Sequence, residues 1–124
     1  MGMMSVETLA DCLRDFQSRF NANEQVKKLV RGWDRSILLE ATDSDAIFTV
    51  TLQGLLITNV KAGDETDPDD DNLVHLQASE ENLIRIFSGD YQPATALIDG
   101  ELAVFSSEPD KVKLEAISIV IWGM

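Results

Sequence analysis

The chain has 124 residues, 44% of them hydrophobic, enough for one domain with one sizeable core over residues 1–124. Its formal net charge of −12 argues against nucleic acid as a partner, because phosphate binding draws on clustered Lys and Arg. One cysteine, Cys12, excludes an internal disulfide framework and makes a reducing compartment the default.

The amino end, MGMMSVETLADCLRD, meets acidic residues too early for a signal peptide. Val6, Leu9, Leu13, Phe16 and Phe20 step by three and four, the apolar stripe of a helix with Ser5 as N-cap and Glu7 in its first turn. Asn21-Ala22-Asn23 interrupts it, and a second helix is expected over Glu24 to Arg31, facing inward through Val26, Leu29 and Val30 and stopped by Gly32. Six of the ten basic residues fall before position 36, so this region is the one suited to meet an anionic group.

From Trp33 the period changes. RSILLEA and DAIFTVTLQ read as two strands joined by the turn Thr42-Asp43-Ser44-Asp45. In the second strand Ala46, Phe48, Val50 and Leu52 point one way and Thr49, Thr51 and Gln53 the other. Gly54 allows a tight reversal into LLITNVK, giving an antiparallel meander of three strands. The acidic stretch AGDETDPDDDN reads as a solvated loop and LVHLQA as a fourth strand. Ser79 caps a third helix, with Glu80 and Glu81 in its first turn and Leu83, Ile84 and Phe87 on its buried side; Ser88-Gly89 ends it. Pro93 starts a short rigid turn, Asp99-Gly100 reverses the chain, a fifth strand covers Glu101 to Phe105, and a last helix begins near Pro109. That helix shows two apolar files, Val112-Ala116-Val120 and Leu114-Ile117-Ile121, and is nearly apolar all round at its end. It carries more aliphatic surface than one helix–sheet contact requires, as expected of a wholly buried core helix or of the wall of a cavity.

Catalytic chemistry finds little support. Asp67, Asp69 and Asp71 have the alternate spacing of a calcium loop, but Asn72 stands where such loops need glycine and Ala78 where they need a bidentate glutamate. His75 is the only histidine, on a face shared with Leu73 and Gln77, and is expected to face solvent. There is no G-x-S-x-G elbow, glycine-rich phosphate loop or Cys-x-x-Cys pair, and Cys12 beside the first apolar stripe reads as a small buried residue. No metal, cofactor or catalytic residue is expected.

The stretch FSGDYQPATALIDGELAVF carries a distinctive pattern. Its helix–SG–xxx–P–xx–A–xxx–G–x–L–x–V order, in Ser88, Gly89, Pro93, Ala96, Gly100, Leu102 and Val104, resembles the signature of the sterol carrier protein 2 domain family. The preceding strand ending in LQA, the helix start ASEENLIRIF and the hairpin AIFTVTLQGLLITNVKAG stand in the same order. The resemblance runs from about Trp33 to Phe105. It departs at Ser106-Ser107-Glu108-Pro109, where the family usually has a glycine, and at the final IWGM, which is not the peroxisomal Ser-Lys-Leu type of tail of the eukaryotic carriers; the cytoplasmic location expected here rests on the single cysteine.

The resemblance implies an α+β fold, a five-stranded mostly antiparallel (mixed) sheet with helices packed on one face. It further implies an apolar tunnel between sheet and helices for a sterol, fatty acid or fatty acyl-CoA, bound and transferred without catalysis. On that expectation the tunnel is lined by Phe16 and Phe20, by Ile84 and Phe87, by Tyr91, Ala94, Leu97 and Ile98, and by Ile117, Val120 and Ile121. Arg14 or Arg19 is expected to pair with an anionic headgroup at its mouth. The other expectation is an interaction or accessory module that keeps the fold, fills the tunnel and docks to a partner protein or enzyme; a homodimer is compatible with either.

Overall fold

The computed structural model describes residues 8–122. Helix α1 (Leu9–Ala22) starts at Thr8, whose Oγ1 accepts the Asp11 backbone N–H at 3.1 Å. Ser5, Val6 and Glu7, expected at the head of this helix, lie outside the described residues, and the N-cap among those described is Thr8. Leu9, Leu13, Phe16 and Phe20 are its buried stripe, with Cys12 buried among them. Asn23 ends α1 and caps α2 (Glu24–Leu29) by accepting the Val26 N–H at 3.0 Å. The second helix stops two residues short of Arg31, although Val30 beyond its end is still buried.

Strands β1 (Arg35–Ala41), β2 (Ile47–Gln53), β3 (Leu56–Ala62), β4 (Leu73–Ala78) and β5 (Ala103–Phe105) form one sheet in the order β3-β2-β1-β4-β5. The first three make the antiparallel meander; β4 lies parallel to β1, and β5 antiparallel to β4. The β2–β3 turn is two residues long, Gly54 (φ 60°) and Leu55 (φ 76°). Positive φ at both positions is the type I′ geometry whose twist matches the flanking strands.

The parallel pairing dictates what the acidic segment does. The chain must pass from β3 at one edge, beyond β2 and β1, to reach β4. It does so on the face away from the helices. Thr49, on the polar side of the alternating strand β2, is buried beneath this crossing: its Oγ1 donates to the Gly63 carbonyl at 2.8 Å and accepts the Glu65 N–H at 2.9 Å. Asp67 and Asp70 turn the rest of the segment, their side chains accepting the backbone N–H groups of Asp69 and Asn72 at 2.9 and 2.8 Å, the local pairing that short acidic residues offer a loop.

Ser79 caps α3 (Glu80–Ser88) by accepting the Asn82 N–H at 3.1 Å. Gly89 closes that helix in the left-handed conformation (φ 97°), which glycine adopts without Cβ strain. Pro93 begins more than a turn: residues Pro93–Ile98 form a six-residue helix, α4, with the proline in its first positions. Strand β5 is shorter than expected, since Glu101 and Leu102 belong to the bend before it. The last helix, α5, covers Glu108–Trp122.

Candidate functional site

One face of the sheet carries Ile37 and Leu39 (β1), Val50 and Leu52 (β2), Ile57 and Val60 (β3), Leu76 (β4) and Val104 (β5), in mutual register across four ladders. The helices roof this face without closing onto it. The space between is an apolar cavity of about 650 Å³ with these side chains as its floor. Leu13, Phe16 and Phe20 of α1 and Ile86 and Phe87 of α3 form one side of the roof. Residues of α4 and α5 form the other. Leu97 and Ile98 of α4 and Val112 and Ile119 of α5 belong to the wall yet are exposed, Ile98 by 86%. The cavity therefore opens to solvent between these two helices.

Polar clamps hold α5 over this space. At its amino end the carboxylate of Asp110, only 2% exposed, accepts from Trp33 Nε1 at 2.8 Å and from Arg35 Nε and Nη2 at 3.0 and 2.9 Å. Burial opposes the charge on Asp110, but the hydrogen bonds from Arg35 and Trp33 and the charge of Arg35 outweigh it and hold the carboxyl below its ordinary value. In the middle, Lys113 Nζ donates to the Leu29 carbonyl at the end of α2, 2.7 Å away. At the far end Trp122 Nε1 donates to the Ile86 carbonyl of α3 at 2.7 Å. The Trp122 ring also packs with Phe16 and Phe87, centroids 5.3 and 6.1 Å apart, and these aromatics close that end of the cavity. A helix fixed at three points need not collapse onto the sheet, so the space beneath it persists.

Of the residues singled out in the sequence, Phe16, Phe20, Phe87, Ala94, Leu97, Ile98 and Ile117 line this cavity. Four others do not. Ile84 borders a shallow groove beside Asp15 and Arg85 on the outer side of α3. Tyr91 turns outward, its hydroxyl donating to Asp99 Oδ2 at 2.8 Å and its ring 4.5 Å from the Arg85 guanidinium carbon. Val120 and Ile121 pack against the core outside the cavity, because the cavity-facing stripe of α5 runs instead through Lys111, Glu115, Ser118 and Trp122. Neither arginine lines the opening. Arg14 is an exposed partner of Asp11 at 3.7 Å; Arg19 binds Asp15 at 3.1 Å, donates to the Phe87 carbonyl and lies over the Phe16 ring. The sheet floor and the polar residues of α5 were missed, although the alternation of β2 already marked Val50 and Leu52 as facing inward.

On the opposite face of the sheet His75 is half-buried rather than free in solvent. Its Nε2 is 2.9 Å from Glu40 Oε1 and its ring 5.6 Å from that of Phe105. Hydrogen bonds to Gln77 and His75 hold the Glu40 carboxyl below its ordinary value. Among the described residues no group of three or more His, Cys, Asp or Glu side chains is arranged to hold a metal ion, and no helix is long and apolar enough to cross a membrane.

No protein-family model and no curated protein matches the chain. Solved structures do. A sterol carrier protein 2 crystal structure is 16% identical with a TM-score of 0.62, covering 92% of this chain and 93% of that one. Palmitated SCP2L2 of Aedes aegypti is 15% identical with a TM-score of 0.61, covering 90% and 95%. A UbiJ-SCP2 ubiquinone synthesis protein is 18% identical with a TM-score of 0.56, covering 85% and 83%. A further match is the sec-alkylsulfatase Pisa1 from Pseudomonas sp., at 17% identity and a TM-score of 0.56, where the likeness covers 77% of this chain and the chain spans only 14% of the sulfatase.

Proposed function

Starting from a chain with the sterol carrier protein 2 fold, we propose that it binds and transfers a lipid in the cavity beneath α5, without catalysis. The observation that carries this reading is the cavity itself: about 650 Å³, floored by aliphatic side chains from all five strands and open between α4 and α5. Small-molecule sites fall in the range of roughly 300–1,000 Å³ and are apolar with a few polar groups, as this one is. Burying about ten methylenes at about 0.8 kcal/mol each supplies on the order of 8 kcal/mol of gross driving force. Association and ordering costs consume part of that, leaving a carrier able to release its cargo. The likeness to a palmitated neighbour supports the same class of ligand. The lining residues of the proposal are Phe16, Phe20, Phe87, Ala94, Leu97, Ile98 and Ile117, joined by Trp33, Leu102 and the sheet floor.

Native mass spectrometry of the purified protein tests this, together with displacement of an uncharged fluorescent lipid by unlabelled lipids. Retained lipid or saturable displacement is the expected result. A folded protein that shows neither would end the proposal. A second reading, an accessory module docking to a partner enzyme, is favoured by the likeness to the UbiJ-SCP2 ubiquinone synthesis protein. The open cavity favours carriage over this alternative in the form that requires a filled tunnel.

A further inference from the structure

The mouth of the cavity is apolar on both lips. Leu97 and Ile98 on α4 and Val112 and Ile119 on α5 belong to the wall and are exposed. Glu115 stands three residues after Val112 and four before Ile119, and so lies between them on one face of α5. It belongs to the wall, is exposed, and forms no hydrogen bond or ion pair with any described residue. The other two charged residues of the wall, Glu108 and Lys111, lie toward the amino end of α5 and face each other, Lys111 Nζ standing 3.5 Å from Glu108 Oε1. The opposite lip brings no cation: α4, PATALI, has no charged residue, and Asp99 follows it. The mouth thus presents a cargo with one unpaired carboxylate framed by hydrocarbon.

The interior has nothing to offer a polar group. The indole N–H groups of Trp33 and Trp122 are committed to Asp110 and to the Ile86 carbonyl. The Ser118 Oγ has practically no accessible surface, and the remaining inner side chains are hydrocarbon. A polar head drawn inside would lose its water without compensation, so the head of an amphiphile stays at the mouth, beside Glu115. We infer that Glu115 is the headgroup-selecting residue of this cavity, and that the cargo it fits is a long-chain primary amine rather than a fatty acid. The inference rests on the reading of the cavity as a lipid site and names the class of lipid. An ammonium only donates and a carboxylate only accepts, so the two satisfy each other. Hydrocarbon on either side lowers the local dielectric and strengthens their attraction relative to an open surface. A fatty-acid carboxylate in the same place meets a like charge, on a molecule of net charge −12. Lys111 is already beside Glu108, and Arg14 and Arg19 lie outside the wall, paired with Asp11 and Asp15.

The test uses three ligands of one chain length, dodecylamine, dodecanol and dodecanoate. Each competes with an uncharged fluorescent lipid at neutral pH and low salt, below the concentration at which it aggregates. At that pH the amine is a cation and the acid an anion. The wild-type chain is expected to bind the amine about five-fold more tightly than the alcohol, the upper range for an exposed ion pair, and the alcohol more tightly than the acid. Glu115→Gln should bring the amine to within about two-fold of the alcohol, and Glu115→Lys should reverse the order of amine and acid. Glu81→Gln removes the same charge from the groove on the outer side of α3. It should leave the ratio of amine to alcohol affinity at its wild-type value, which separates Glu115 from net charge. Each ratio is taken within one protein, so a variant of lower overall affinity still reports, and alcohol binding shows that its cavity is intact. An acid bound by the wild type as tightly as the amine would overturn the inference while leaving lipid carriage standing. So would an amine preference that survives Glu115→Gln, or one that Glu81→Gln lowers as much. Binding of none of the three, by a folded protein, removes both.

Discussion

Asp110 is the residue on which the placement of α5 turns. Its carboxylate is buried and satisfies two nitrogens of Arg35 and the indole N–H of Trp33 at once. Removing one partner of such a pair leaves a charge and an N–H without compensation, so Asp110→Ala should cost about 3–5 kcal/mol of unfolding free energy in urea denaturation. The sign of the pH dependence follows from the direction of its shift. A carboxyl held below its ordinary value, about 3.9 for aspartate, contributes stability that is fully present above pH 4 or so. That contribution is lost as pH falls through the lower value in the folded state. Unfolding midpoints measured from neutral to acid pH should fall more steeply for the wild type than for Asp110→Asn, and parallel curves would contradict this. The sequence marks Asp110 only as an acidic residue in a first helical turn, because its partners lie 75 and 77 positions away.

At the scale of elements, the edge strand β3 depends on α1. The Asn21 side chain pairs with the Ile57 backbone on both sides, Oδ1 accepting its N–H at 2.8 Å and Nδ2 donating to its carbonyl at 3.0 Å. Gln17 adds a second donor to the same carbonyl at 2.8 Å. The register of β3 shifts opposite Thr51 and Leu52, and two helix side chains supply hydrogen bonds beside that irregularity. Asn21→Ala should therefore cost about 1–3 kcal/mol through the unpaired Ile57 N–H and raise amide exchange at Ile57 above that of Val60. Unchanged exchange at Ile57 would show that the clamp is dispensable. Much at this scale was legible because it is local. The alternation of DAIFTVTLQ, the Ser79 cap and the Gly89 stop follow from short-range periodicity and backbone conformation. The helical nature of Pro93–Ile98 was not, since six residues hold too few turns for an apolar period to declare itself. The burial of Thr49 was not legible for a different reason: the polar face of a strand is solvated only if nothing crosses it, and the segment that crosses here is fixed by the parallel β1–β4 pairing.

For the whole molecule the governing quantity is charge. A chain of net charge −12 surrounds an opening whose own rim carries the exposed Glu108, Lys111 and Glu115 of α5. If the cavity carries lipid, its exchange with a bilayer brings this rim toward headgroups, and the sign of the interaction depends on theirs. Zwitterionic surfaces impose little penalty, and the exposed apolar side chains of Leu97, Ile98, Val112 and Ile119 can approach them. Anionic surfaces repel a protein of this charge over about a Debye length, roughly 8 Å at physiological salt and 30 Å at 0.01 M. Transfer of an uncharged fluorescent lipid from the protein to vesicles, followed by stopped flow, should thus be slower into anionic than into zwitterionic vesicles at low salt. The difference should shrink as salt is added, because screening removes repulsion and leaves apolar contact unaffected to first order. Rates independent of both vesicle charge and salt would mean that lipid leaves through water without contact between protein and bilayer. Faster transfer into anionic vesicles would mean that the basic residues of the first two helices, and not the acidic rim, meet the membrane.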